Sequence, residues 1–181
     1  MKHFLRFLGV LGILFILTSC SSNTVQNQEI SIMEELKQEI SSQDITIDKI
    51  YHVEIISDGV LVLYKKMNKN MVREAFLRQK DNEWEWEMGY GEIAINPDTE
   101  NFLWHGTNDE DTQVFKITGV TSNPDIEKII TQKPDGTRKK TAKIINTGEG
   151  FKIWNVFYEN PINAPVDFTA YDGDGKEILK Q

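Results

Sequence analysis

Cysteine occurs once in these 181 residues, at Cys20. One thiol excludes an intrachain disulfide and any metal site built on paired cysteines, so the fold must stand on its apolar core. Histidine is almost as scarce, with three in the chain. No H-E-x-x-H pair and no G-x-S-x-G elbow is present, and beyond residue 42 the serines are reduced to Ser57 and Ser122, which leaves zinc-hydrolase and serine-hydrolase chemistry without its usual parts. Basic residues are outnumbered, 20 against 28 acids, for a formal charge of −8. An acidic surface of that kind is a poor partner for nucleic acid or anionic headgroups. The chain also lacks a long apolar run near its start: Phe7 to Leu17 is an uncharged stretch of 11 residues, against the roughly 20 needed to cross a bilayer as a helix.

What that short run does have is a setting. Lys2 and Arg6 precede it and Leu17-Thr18-Ser19-Cys20 follows, the order of basic, apolar and small-residue regions that marks an export signal. An ordinary secretory signal closes on an A-x-A-like pattern, whereas Leu17-Thr18-Ser19-Cys20 resembles the lipobox of bacterial lipoproteins. That resemblance implies diacylglycerol transfer to the Cys20 sulfur, cleavage between Ser19 and Cys20, and a protein held by membrane lipid on the extracytoplasmic face of the cell membrane. Ser21 departs from the aspartate that signals inner-membrane retention in two-membrane lipoproteins. Loss of residues 1–19 removes Lys2 and Arg6 and no acid, so the exported part is more acidic still.

Residues 20–28 are polar and aperiodic and read as a flexible tether, with a coil reach of about 15 Å over eight residues. A helix is predicted from Ser31 to about Ser42, where Ser31 and Glu34 have capping-box spacing and Ile32, Met33, Leu36 and Ile40 form an apolar stripe. From Asp44 onward the period changes to two. Asp58-Gly59 predicts a type I′ hairpin between Tyr51–Ser57 and Val60–Lys66, with apolar residues on both faces. A second hairpin about Asp81-Asn82 pairs Lys80 with Glu83, Arg78 with Glu85, Leu77 with Trp86 and Ala75 with Met88, which puts opposite charges on one face and apolar groups on the other. Thr107 to Asp111 reads as a short acidic loop. Beyond it, strands are expected at 113–120, 126–133, 141–146, 151–158, 166–171 and 176–179, separated by turns that include Pro134-Asp135-Gly136 and Asp172-Gly173-Asp174-Gly175.

The expected fold is therefore mainly β in the α+β sense: a short N-terminal helix followed by antiparallel hairpins, as two stacked sheets or with a sandwich-like second half. The domain division that follows is 1–19 signal, 20–28 tether, 29–107 helix plus sheet and 108–181 all-β, with the boundary near Asn108 soft enough to permit a single domain. The hairpin spacing of the second half resembles that of uncharacterised Gram-positive envelope lipoproteins. That resemblance assigns no activity.

Candidate sites are few. Trp84, Trp86, Tyr90 and Trp104 could form a platform for sugar rings, but Trp84 and Trp86 alternate with Glu83, Glu85 and Glu87 and fall with Leu77 and Met88 on the core side of the second hairpin. Trp104, beside His105 and Gly106, has the better claim to exposure. His52 shares a strand face with Glu54 and Lys65 and reads as a rim residue. His105 lies near Asp109, Glu110 and Asp111, a combination able to pair a base with an acid or to hold a metal. Asp172-Gly173-Asp174-Gly175 departs from a calcium loop, because Lys176 occupies the third ligand position and the glycine comes two places early. The ligand-binding candidates are thus Trp104, His105 and Asp109, with Cys20 as the lipidation site and no catalytic set, metal site or cofactor expected. Three functions fit: a non-enzymatic, lipid-anchored binding or accessory protein of the envelope, contacting a protein, peptide or wall polymer; a hydrolase of envelope glycans or peptides with acids near His105; or an acidic cation-binding domain, which predicts a calcium-dependent rise in melting temperature.

Overall fold

In a computed structural model the described residues are 23–56, 58–96 and 102–181, with backbone alone for 23–31. Cys20 and the expected signal segment, residues 1–19, lie outside them. Contacts divide the chain into a unit ending at Lys37 and a second running from Gln38 to Gln181. All strands belong to the second unit. The expected boundary near Asn108 falls inside a strand, β5 (Phe102–Asp109).

The helix α1 spans Asn23–Ser42. It starts eight residues before the expected Ser31, so Asn23–Gln28 is helical where a tether was expected and Ser31 is not a cap. No Gly or Pro interrupts residues 21–42, and once a turn exists each further residue adds a hydrogen bond at little cost. The helix ends at Ser42, after which Gln43 N–H donates to Ile40 O (3.3 Å) and Asp44 takes φ 58°.

Three four-stranded antiparallel sheets follow. The first holds β1 (Ile47–Ile56), β2 (Gly59–Lys66), β3 (Met71–Lys80) and β4 (Glu83–Ala94) in sequence order. The second is ordered β5, β6 (Val114–Thr121), β10 (Lys152–Tyr158), β9 (Lys143–Asn146), and the third β12 (Glu177–Lys180), β11 (Asp167–Tyr171), β7 (Lys128–Gln132), β8 (Lys140–Thr141). Among the described residues the architecture is mainly β with one helix, as expected, but has a third sheet. Its reason lies in the middle one: β6 is buried along its whole length. Val114 and Val120 pack towards the first sheet with Leu61, Phe76 and Ile153, while Phe115 and Ile117 pack towards the third with Trp154, Ile129 and Phe168. A strand apolar on both faces needs a layer on each side. The expected strand 141–146 is accordingly split at Ala142, whose N–H donates to Ile129 O (2.9 Å) where the chain leaves the third sheet for the second.

Two registers differ instructively from expectation. Ile56 pairs with Gly59, so Gly59 belongs to the strand and not to the loop. A Cβ there would lie 2.4 Å from Leu77 O and 2.5 Å from the Phe76 ring, and close approach to β3 is what requires the glycine. In the second hairpin Asp81 and Asn82 have φ 52° and 68°, and the pairs Lys80–Glu83, Arg78–Glu85 and Leu77–Trp86 form as expected. A bulge then follows, and Ala75 faces Gly89 while Phe76 faces Met88. The extra residue reverses the alternation. Trp84 and Trp86 therefore lie on the face opposite Met88 and Tyr90, where the Trp86 ring covers Gly89 (2.9 Å to a built Cβ) and the Trp86 N–H donates to Glu39 Oε1 (3.0 Å).

Candidate functional site

The strand β5 is an edge. It pairs without a break with β6, from Phe102 opposite Thr121 to Asp109 opposite Val114, so the expected loop at Thr107 is strand as far as Asp109. Alternation divides its side chains. Trp104 points to the third sheet, with its ring 4.6 Å from that of Phe168, and remains 40% exposed. His105 points to the first sheet, against Gly91 of β4 and Glu74 of β3. The three residues singled out in the sequence are thus separated: His105 and Asp109 share a face and Trp104 lies on the other. On that other face Phe102 stacks on Trp154 (5.1 Å, 21°), and Gly119 admits the Trp154 ring, which a Cβ would meet at 2.3 Å.

Beneath His105 is a charged pair that sequence reasoning missed. Glu74 and Lys116 are 1% and 0% exposed and are bound to each other, and Lys116 Nζ also donates to Thr118 Oγ1 (2.9 Å). Burial lowers the Lys116 pKa, and the carboxylate of Glu74 works against that shift. His105 Nε2 and Glu74 Oε1 stand 3.6 Å apart, both buried and neither hydrogen-bonded among the described residues. Burial lowers the His105 pKa as well; Glu74 opposes the shift and Lys116 adds to it. The sequence carried a signal for the pair: a lone acid between Val72 and Phe76, and a lone base between Val114 and Ile117, are charges at core positions, and charges there need each other.

Along the same face, Met88, Tyr90 and residues 107–111 line an open cleft of about 540 Å³ between β4 and the end of β5. The Tyr90 hydroxyl shares a hydrogen bond with Thr112 Oγ1 (2.6 Å) and donates to Asp109 Oδ2 (3.3 Å). Asp109 Oδ1 accepts from the N–H groups of Asp111 (3.0 Å) and Thr112 (3.2 Å). Burial raises the Asp109 pKa, but these donors outweigh it and hold the carboxyl below its usual range. Burial first, then the neighbouring carboxylates, push the Tyr90 phenol well up. Asn108, on the opposite face, clamps the chain at Ile162, donating to its carbonyl (2.9 Å) and accepting from its N–H (2.9 Å). The end of β5 is thereby hydrogen-bonded through side chains on both of its faces.

His52 lies elsewhere, 2.7 Å from Glu54, which also binds Lys143 of β9. The Asp172–Gly175 segment is a turn, in which Asp172 Oδ1 accepts from the N–H groups of Asp174 (3.1 Å) and Lys176 (2.8 Å) and Gly175 takes φ 83°. Among the described residues no group of three or more His, Cys, Asp or Glu side chains is placed to hold a metal, and no helix is long and apolar enough to cross a membrane. No protein family, curated protein or solved structure matches the chain.

Proposed function

We propose that this protein is a lipid-anchored extracytoplasmic binding protein, held at the cell membrane through Cys20 and contacting an envelope partner through the β4–β5 cleft without turning it over. For the anchor, the support is the basic start, the run Phe7–Leu17 and Leu17-Thr18-Ser19-Cys20. Two or three acyl chains, at about 0.8 kcal/mol per buried methylene, hold a domain firmly where one chain does not. The observation that carries binding over catalysis is how Asp109 and His105 are occupied. Asp109 is an ionised acceptor committed to a turn, and His105 presents a buried Nε2 to the layer interface instead of to the cleft. A general acid or base needs a free proton site within reach of a substrate.

The anchor is tested by metabolic labelling with a clickable palmitate analogue and by fractionation. The expected result is a labelled, membrane-bound protein that loses its label and leaves the membrane as Cys20→Ser; labelling unchanged by that substitution overturns the reading. Activity is tested by incubating the purified protein with cell-wall glycan and peptide. Turnover that disappears in His105→Gln would replace binding with the hydrolase.

A further inference from the structure

Each of the three sheets ends in two edge strands, and an edge strand presents unpaired backbone groups that a protein normally guards with bulges, charges or shortness. The first sheet follows that rule. β1 has two irregularities in its register, at Ile47/Lys49 and Ile50/His52, and β4 has two breaks and carries Glu83, Glu85, Glu87 and Glu92. The edges of the third sheet, β12 and β8, are 4 and 2 residues long, and β9 is 4. β5 is different. It is 8 residues long, unbroken in register, without Lys, Arg or Pro, and free of carboxylates until Asp109. None of its residues is buried, and Leu103 and Trp104 expose 39% and 40% of their surface.

We propose that β5 is a docking edge for an extended basic segment of another envelope polypeptide, which adds to the second sheet as a strand alongside Phe102–Asn108. The proposal rests on the reading of this chain as a binding protein and names what it binds. Main-chain hydrogen bonds to the β5 edge supply affinity, and alternate side chains supply selectivity. On one face they meet Leu103 and then the cleft, whose end carries Asp109, Glu110 and Asp111. On the other they meet Trp104 and the open space at Gly106, where a built Cβ has only Lys116 O within 4 Å, at 3.9 Å. A bulky residue of the incoming strand fits across that glycine. The preference for a basic segment follows from charge: the cleft end is acidic and the whole chain is at −8, which also repels a second copy of this chain.

The probe is a panel of N-acetylated heptapeptides that alternate valine with lysine, threonine or glutamate, added to the full chain in neutral detergent. Each is also made with backbone N-methyl groups on the odd or on the even positions. Amide hydrogen exchange of residues 102–108 and fluorescence titration are read together. We expect the lysine peptides to bind at least tenfold more tightly than the glutamate ones and to slow exchange within β5. One N-methyl register should lose at least tenfold and the other little, because only alternate amides of an added strand face the sheet. Glu110→Lys with Asp111→Lys, both at exposed positions, should reverse the charge preference. The proposal is overturned if no peptide alters β5 exchange at millimolar concentration, if both N-methyl registers bind alike, if lysine and glutamate peptides bind equally, or if sedimentation shows the chain pairing with itself through β5. Cys20→Ser should bind peptide unchanged, so a failed anchor and a failed docking edge give separate results.

Discussion

Glu74 and Lys116 are the residues whose loss should be felt most. Each is fully desolvated and each answers the other. Removing one partner leaves a buried charge uncompensated, which costs about 3–5 kcal/mol. Glu74→Leu and Lys116→Met are each expected to lower the urea midpoint by that measure, while the double variant recovers most of it; additive losses would show that the pair is not coupled. His105 should govern stability in mild acid. Its folded pKa is lowered from the ordinary 6.5 by burial, so above 6.5 folded and unfolded rings are alike neutral. Below 6.5 the unfolded chain takes up a proton that the folded chain refuses, and stability falls as pH drops from 6.5 towards the folded value. His105→Gln should flatten that part of a stability–pH curve. The hydrogen-bonded carboxyls of Glu54 and Asp109, lowered from 4.5 and 3.8, contribute a separate loss at more acidic pH that this variant leaves in place.

At the scale of elements, glycines decide how closely the layers meet. A Cβ on Gly91 would lie 2.4 Å from His105 Nδ1 and 2.6 Å from its Cε1. Gly91→Ala should therefore cost about 1–3 kcal/mol as overpacking, and His105→Ala in the same chain should restore much of it, since the obstacle is a side chain. Gly119 gives the contrasting case. There a Cβ would meet the Trp154 ring at 2.3 Å and also Leu103 O at 2.5 Å, so trimming Trp154 leaves a backbone clash. Gly119→Ala is expected to destabilise the protein by at least as much as Gly91→Ala, with no rescue from Trp154→Leu; thermal melts of the four variants make the comparison. The hairpin pairs Lys80–Glu83 and Arg78–Glu85 were legible from alternating charge and a turn tolerant of positive φ. The bulge beyond them was not, because an inserted residue leaves no mark in a period-two pattern once Glu85, Trp86, Glu87 and Met88 alternate regardless.

For the molecule as a whole, the second sheet is common property. Residues 38–181 form one unit, and β6 and β10 contribute to the apolar clusters on both of their faces. Loss of the outer sheets would bare one face of the middle one, so the unit should unfold in a single transition. Far-ultraviolet circular dichroism and tryptophan fluorescence, the latter drawing on Trp86 at the first sheet and Trp154 between the second and third, should give the same midpoint. Separated midpoints would show that the third sheet melts by itself.

Composition and local pattern determined much of this protein. A helix that buries Leu36 and Ile40 one turn apart while Ile32 and Met33 stay exposed, and hairpins closed by Asp81-Asn82 and Pro134-Asp135-Gly136, are statements about neighbours in the chain, and neighbours are what periodicity and turn chemistry report. The tertiary structure alone decided that there are three layers, that Glu74 finds Lys116 across 42 residues, that Trp104 and His105 part company, and that β5 is left as an edge. Those outcomes turn on which strand lies beside or above which, and a strand's own residues do not encode its partner: the same alternation of side chains serves an edge and a centre until the fold assigns one.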